Sequence, residues 1–61
     1  MINVSLKELY AIENQLEAEK MLITKYRSYA ESCNDNALRD KCMNIANVHE
    51  KHYNTLLGYL K

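Results

Sequence analysis

The sequence contains no proline, no tryptophan, no phenylalanine and only one glycine, Gly58. Strand-rich folds need frequent turns, and glycine and proline are the residues that most often form them. Their scarcity argues against an all-β fold. The chain also lacks a long apolar run, because its longest aliphatic stretch is Met21-Leu22-Ile23, whereas a membrane span needs about 20 apolar residues. No basic and apolar leader of the signal-peptide type opens the sequence, so we expect a cytoplasmic protein.

The chain has no excess of charge and no cysteine framework. Eight basic and eight acidic residues give a net charge of zero, and the basic residues are scattered, so neither a nucleic-acid partner nor a membrane surface is expected. Sixty-one residues, 1–61, are enough for a single small domain. Cys33 and Cys42 have eight residues between them, unlike zinc-ribbon cysteines, and are expected to be small apolar core residues. The alternative is a disulfide between them across a hairpin.

What remains is helical periodicity in two segments. Apolar residues recur in steps of three and four with one gap of seven in the first segment, and in steps of three and four in the second. The pattern predicts an all-α fold with helices at about 5–33 and 36–60. Ser5 and Glu8 form a capping-box pattern at the start of the first helix. The segment Asn34-Asp35-Asn36 interrupts the periodicity, and Asp35 is the expected N-cap of the second helix.

The short connection predicts an antiparallel two-helix hairpin, which is half of a four-helix bundle. A lone hairpin cannot enclose a core, because each helix has only one neighbour and part of its wide apolar stripe remains exposed to water. Chains of this size usually need a disulfide, a metal or a partner chain for stability. Because two-fold dimers are the commonest oligomers, we predict a homodimer in which two hairpins form a four-helix bundle.

Three polar residues interrupt the apolar stripes on their inward side. Apolar residues surround Glu19 at helical spacing, which predicts that this carboxylate faces the core, and the same argument places His49 and His52 inward on the second helix. Glu19 lies 16 residues before Asp35, and the histidines lie 14 and 17 after it. At about 1.5 Å per residue all three are roughly 21 to 26 Å from the turn. One carboxylate and two imidazoles should therefore meet near the middle of the hairpin.

A buried carboxylate is costly unless it is paired or binds an ion, and two imidazoles at i and i+3 can reach one metal. We therefore predict a transition-metal site with Glu19, His49 and His52 as ligands, for Zn, Fe, Mn or Cu. The alternative is a metal-free network in which Glu19 accepts hydrogen bonds from the histidines. Tyr26 and Tyr53 are the expected neighbours of the ligands, although a tyrosine in an apolar stripe is more often packed in the core. No nucleophile–base pair or substrate cleft favours an enzyme, and no catalytic residue is assigned.

The pattern Glu19-Lys-Met-Leu-Ile-Thr-Lys-Tyr26, followed by Ile45-Ala46 and the histidine pair, resembles one half of a ferritin-like or rubrerythrin-like four-helix bundle. With its short hairpin turn and its His-Tyr-Asn-Thr-Leu-Leu ending, the chain is similar to small spore-coat-type ferritin-like proteins of spore-forming bacteria. The resemblance implies that Glu19 is the first-helix carboxylate and His52 the histidine of the ligand pair. It also implies spore association and spore-coat proteins as partners.

His49 departs from this pattern, because ferritin-like oxidases have a metal-bridging glutamate at that position. Without bridging carboxylates, the resemblance implies mononuclear or structural metal sites, or a degenerate site, rather than oxygen chemistry between two irons. Two hypotheses follow for the whole protein. One is a metal-binding ferritin-like homodimer, and the other is a non-catalytic structural or interaction protein whose buried network only fixes helix register.

Overall fold

The computed structural model describes residues 4–60 of the chain and contains two α-helices. Helix α1 spans Leu6–Ser32 and helix α2 spans Asn36–Gly58. Within residues 4–60 there is no strand. The prediction of an all-α helical hairpin is therefore confirmed, and both helices lie within one or two residues of their predicted bounds.

The start of α1 follows from the capping box that the sequence predicts. The Ser5 hydroxyl accepts a hydrogen bond from the Glu8 amide, and the Glu8 carboxylate accepts one from the Ser5 amide, both at 3.2 Å. Two amides that the helix cannot satisfy internally are thus paired with side chains. The helix ends at Ser32 because Cys33 has an extended backbone, with φ −88° and ψ 128°.

The connection between the helices is only three residues long. Asp35 caps α2 by accepting a hydrogen bond from the Leu38 amide at 2.9 Å, as predicted. The Arg39 guanidinium donates to the Cys33 carbonyl at 2.9 Å and so ties α2 to the end of α1. Two side chains, those of Asp35 and Arg39, therefore hold the turn, both from its α2 side.

The end of α2 differs from the prediction, because the helix stops at Gly58 rather than at residue 60. The amides of Tyr59 and Leu60 bond to the carbonyls of Leu56 and Leu57, three residues back, at 3.1 and 3.0 Å. Such tighter bonds are a common way to satisfy the last carbonyls of a helix. The apolar pattern continues beyond Gly58, but the α-helical hydrogen bonding does not.

The two helices lie side by side and antiparallel in a rod of 46 × 14 × 10 Å. Among residues 4–60, the buried apolar part of this rod is small and comprises Ile23, Ala30, Cys42 and Ala46. Both cysteines are free thiols, with Cys42 buried and Cys33 half-buried, so the core assignment holds for Cys42 and the disulfide alternative is wrong. Between residues 4 and 60, neither helix is long and apolar enough to cross a membrane.

Candidate metal centre

Glu19 is the buried charged residue of the hairpin, and its residue surface is only 3% exposed. It lies midway along α1, in the gap between the apolar residues Leu16 and Ile23. Its contact with His49 shows that it lies on the side of α1 that faces α2. A carboxylate at this depth needs hydrogen-bond donors or a cation, because removing an ion from water is costly when it stays unpaired.

His49 supplies the closest donor to that carboxylate. Its Nδ1 atom lies 2.7 Å from Oε1 of Glu19 and 3.5 Å from Oε2. An ionised carboxylate only accepts hydrogen bonds, so the proton of this contact lies on Nδ1 of the imidazole. The ring is half-buried, and the contact is a short, charge-assisted type of hydrogen bond that joins the middles of α1 and α2.

His52 completes the cluster from the next turn of α2. Its Nδ1 atom lies 3.4 Å from Oε2 of Glu19, and its ring stands edge-on to that of His49 at a centroid distance of 5.5 Å. The side chain is 56% exposed, so His52 lies at the edge of the hairpin rather than inside it. The inward orientation predicted for His52 is thus only partly met, because a hairpin has no third helix to cover that edge.

The electrostatics of the cluster favour an ionised Glu19. The hydrogen bond from His49 holds the pKa of the Glu19 carboxyl below its ordinary value, while burial acts in the opposite direction. The charge of His49 and the weaker hydrogen bond from His52 lower this pKa further. The site therefore presents an anionic oxygen, which is the protonation state that a metal ligand requires.

One ligand atom from each of the three residues lies within 4.8 Å of the other two. Zinc bonds of about 2.0–2.1 Å to nitrogen and oxygen place tetrahedral ligand atoms about 3.3 Å apart. The distance of 3.4 Å between His52 and Glu19 already matches this value. The other distances between the three ligand atoms would have to shorten by at most about 1.5 Å for all three atoms to bind one ion. Three protein ligands leave a fourth position for water.

The two tyrosines predicted beside the ligands contact other residues of the hairpin. Tyr26 is half-buried and packs edge-on against Tyr29, with ring centroids 5.7 Å apart. Tyr53 borders a groove that it shares with Lys20, Arg27 and Asn54. Within residues 4–60 neither hydroxyl hydrogen-bonds to the three ligand residues, and the place of these tyrosines next to a bound metal stays a prediction.

An ion pair that the sequence patterns do not predict lies on the edge of the hairpin away from His52. Arg27 and Glu50 form a salt bridge that joins α1 to α2. Arg27 lies eight residues before Asp35 and Glu50 lies fifteen after it, so matching heights along the hairpin does not find the pair. The long arginine side chain spans the difference. Both side chains remain about half exposed.

The fold and the cluster define an all-α helical hairpin with a mid-helix Glu/His/His site. Comparisons of the chain with protein-family models, curated proteins and solved structures found no match.

Proposed function

We propose that this protein binds one transition-metal ion per chain through Glu19, His49 and His52, as a homodimeric four-helix bundle of the ferritin-like type. The observation that supports the proposal is the convergence of a buried carboxylate and two imidazoles within 4.8 Å. One residue comes from α1 and two come from α2, so the ion would also link the helices. The ligand set of two nitrogens and one oxygen suits Zn, Fe, Mn or Cu.

A single ion fits this chain better than a metal pair. A pair of ions needs carboxylates that bridge them, and Glu19 is the one carboxylate in the cluster. Three protein ligands and one open position are typical of mononuclear zinc sites that hold a water molecule. We therefore propose a binding protein rather than an oxidase. The ferritin-like arrangement and spore association are parts of the hypothesis that come from the sequence resemblance alone.

Metal analysis of the purified protein tests the proposal. The chain is prepared without an affinity tag, incubated with ZnCl₂ or CoCl₂ and dialysed, and we expect close to one bound ion per chain. The visible absorption of the cobalt form should indicate four ligands of nitrogen and oxygen type. A protein that retains no metal, and whose thermal stability is the same with and without a chelator, would contradict the proposal.

A second candidate function is favoured by the 2.7 Å contact between His49 and Glu19. Within residues 4–60, every buried side-chain nitrogen or oxygen has a hydrogen-bond partner, so the cluster is already satisfied as a polar network. The protein would then be a structural or interaction protein whose network fixes the register of the helices. Under this hypothesis Glu19 variants lose stability to the same extent with and without added zinc.

A further inference from the structure

A row of four residues runs along one edge of α2 and turns around the helix by only about 60° over its length. Leu38, Ile45, His52 and Tyr59 are spaced by seven residues, and positions seven apart differ by only about 20° around an α-helix. All four are exposed in the hairpin. We call these residues the heptad row. Three of its members, Leu38, Ile45 and Tyr59, have large hydrophobic side chains, and the fourth, His52, is a candidate metal ligand.

The heptad row borders the open side of the candidate metal centre. Glu19 and His52 share a groove there with Gln15, Leu56 and Tyr59. The opposite edge of the hairpin has a different character, since its groove includes Lys20 and the Arg27–Glu50 ion pair. The two edges are therefore distinct, one apolar around a histidine and the other charged.

The exposed area of the chain is larger than its mass requires. A compact protein of 7.2 kDa exposes about 4,100 Å², whereas this chain exposes 4819 Å². The excess of about 700 Å² is close to the roughly 800 Å² that each partner buries in a standard protein interface. Apolar residues at every seventh position are also the pattern by which helices pack against another helix. A zero net charge adds no repulsion between two copies.

We infer that a second copy of this chain packs on the heptad row, that this contact closes the open side of the Glu19/His49/His52 site, and that metal binding and dimerisation strengthen each other. The inference rests on the proposed metal-binding function. His52 connects metal binding with dimerisation, because it is both a proposed ligand and a member of the heptad row. A bound ion fixes its exposed imidazole in one position, and the second copy removes water from the site. Coupling of this kind is reciprocal and commonly changes an affinity about 5- to 150-fold.

The test compares two substitutions on the same helix. Ile45 belongs to the heptad row and is 37% exposed, while Met43 lies on the other edge of α2 and is 40% exposed. Sedimentation velocity over a concentration series, with and without ZnCl₂, measures the dimer dissociation constant of the wild type, Ile45→Glu and Met43→Glu. We expect zinc to tighten the wild-type and Met43→Glu dimers at least about 5-fold. We expect Ile45→Glu to be monomeric and to bind zinc at least about 5-fold more weakly.

A second row variant covers the case in which Ile45→Glu does not fold. Tyr59→Glu lies at the end of the row, is 60% exposed in the chain, and should also weaken the dimer. Circular dichroism is recorded for all variants. A Tyr59→Glu chain that keeps its helical spectrum and is monomeric would support the inference, and one that keeps this spectrum and dimerises like Met43→Glu would contradict it.

Three results would overturn the inference. These are a wild type that is monomeric throughout, row variants that dimerise as well as Met43→Glu, and a zinc-bound wild type whose dimer dissociation constant equals that of the metal-free protein. The last result would leave the proposed function intact, since zinc would still bind. Failure of the proposed function is recognised separately, by the absence of bound zinc at any protein concentration.

Discussion

The substitution Glu19→Gln removes the one anionic ligand of the candidate centre and keeps the shape of the side chain. Glu19 is 3% exposed and lies 2.7 Å from His49 and 3.4 Å from His52. The amide still fits the space between the helices, so the hairpin should form. What changes is the charge at the ligand atom, because a neutral amide oxygen is a much poorer partner for a divalent ion than a carboxylate.

The expected loss of metal affinity can be bounded. Residues that only hydrogen-bond to a ligand typically change metal affinity about 10- to 100-fold when they are lost. Glu19 is a direct ligand in the proposed site, so Glu19→Gln should weaken zinc binding by at least about 100-fold. The measurement is a competition titration with a chromophoric zinc chelator at neutral pH, supported by the cobalt absorption spectrum.

The matched control is Glu50→Gln. Glu50 lies between the two histidines in the sequence but pairs with Arg27 on the other edge of the hairpin. This variant removes the same charge from the same region, and we expect its zinc affinity to stay within about 3-fold of the wild type, because charges exposed to water interact weakly. The reasoning would be refuted if Glu19→Gln bound zinc as tightly as the wild type, or if both variants lost affinity equally.

Three further predictions concern stability. The pKa of Glu19 is lowered in the folded chain from its ordinary 4.5. The ionised carboxylate therefore stabilises the fold above pH 4.5, and this stabilisation is lost as the pH falls through the lowered value. Thermal denaturation between pH 6 and 3 should show this loss in the wild type and not in Glu19→Gln. Ser5→Ala removes half of the capping box and should cost about 1 kcal/mol, measured by urea denaturation, with Lys7→Ala as the exposed control on the same turn. Ala46 is fully buried, so Ala46→Leu should lower the free energy of unfolding by about 1–3 kcal/mol. A decrease no larger than that caused by the same substitution at an exposed alanine would contradict the close packing of the helices at this position.

The regular part of the fold could be predicted because it depends on local chemistry. The capping box of Ser5 and Glu8, the cap at Asp35 and the three-and-four spacing of apolar residues each act within a few residues of the chain. The end of α2 could not be predicted in this way. The apolar spacing continues to Leu60, but the last amides turn to carbonyls three residues back.

The candidate site was partly predictable for the same reason. Glu19 occupies the inward face of α1 by periodicity alone, and a three-residue connection places residues at equal distances from the turn side by side. Matching distances from the turn does not predict the pairing of Arg27 with Glu50, because these residues lie at different distances from it and the long arginine side chain spans the offset. Side-chain reach is a property of the assembled helices and does not appear in a residue count.

Local patterns in the sequence were thus enough to predict two helices, their starts, and one carboxylate level with two imidazoles near the middle of the hairpin. The difference in burial and in contacts between the two imidazoles depends on how the helices pack. His49 is half-buried between the helices and makes the short contact to Glu19. His52 lies at the edge of the hairpin, in the heptad row, and more than half of its side chain is exposed. Periodicity tells which face of a helix a residue occupies, but its burial depends on what packs against that face, and a two-helix hairpin covers only part of each stripe.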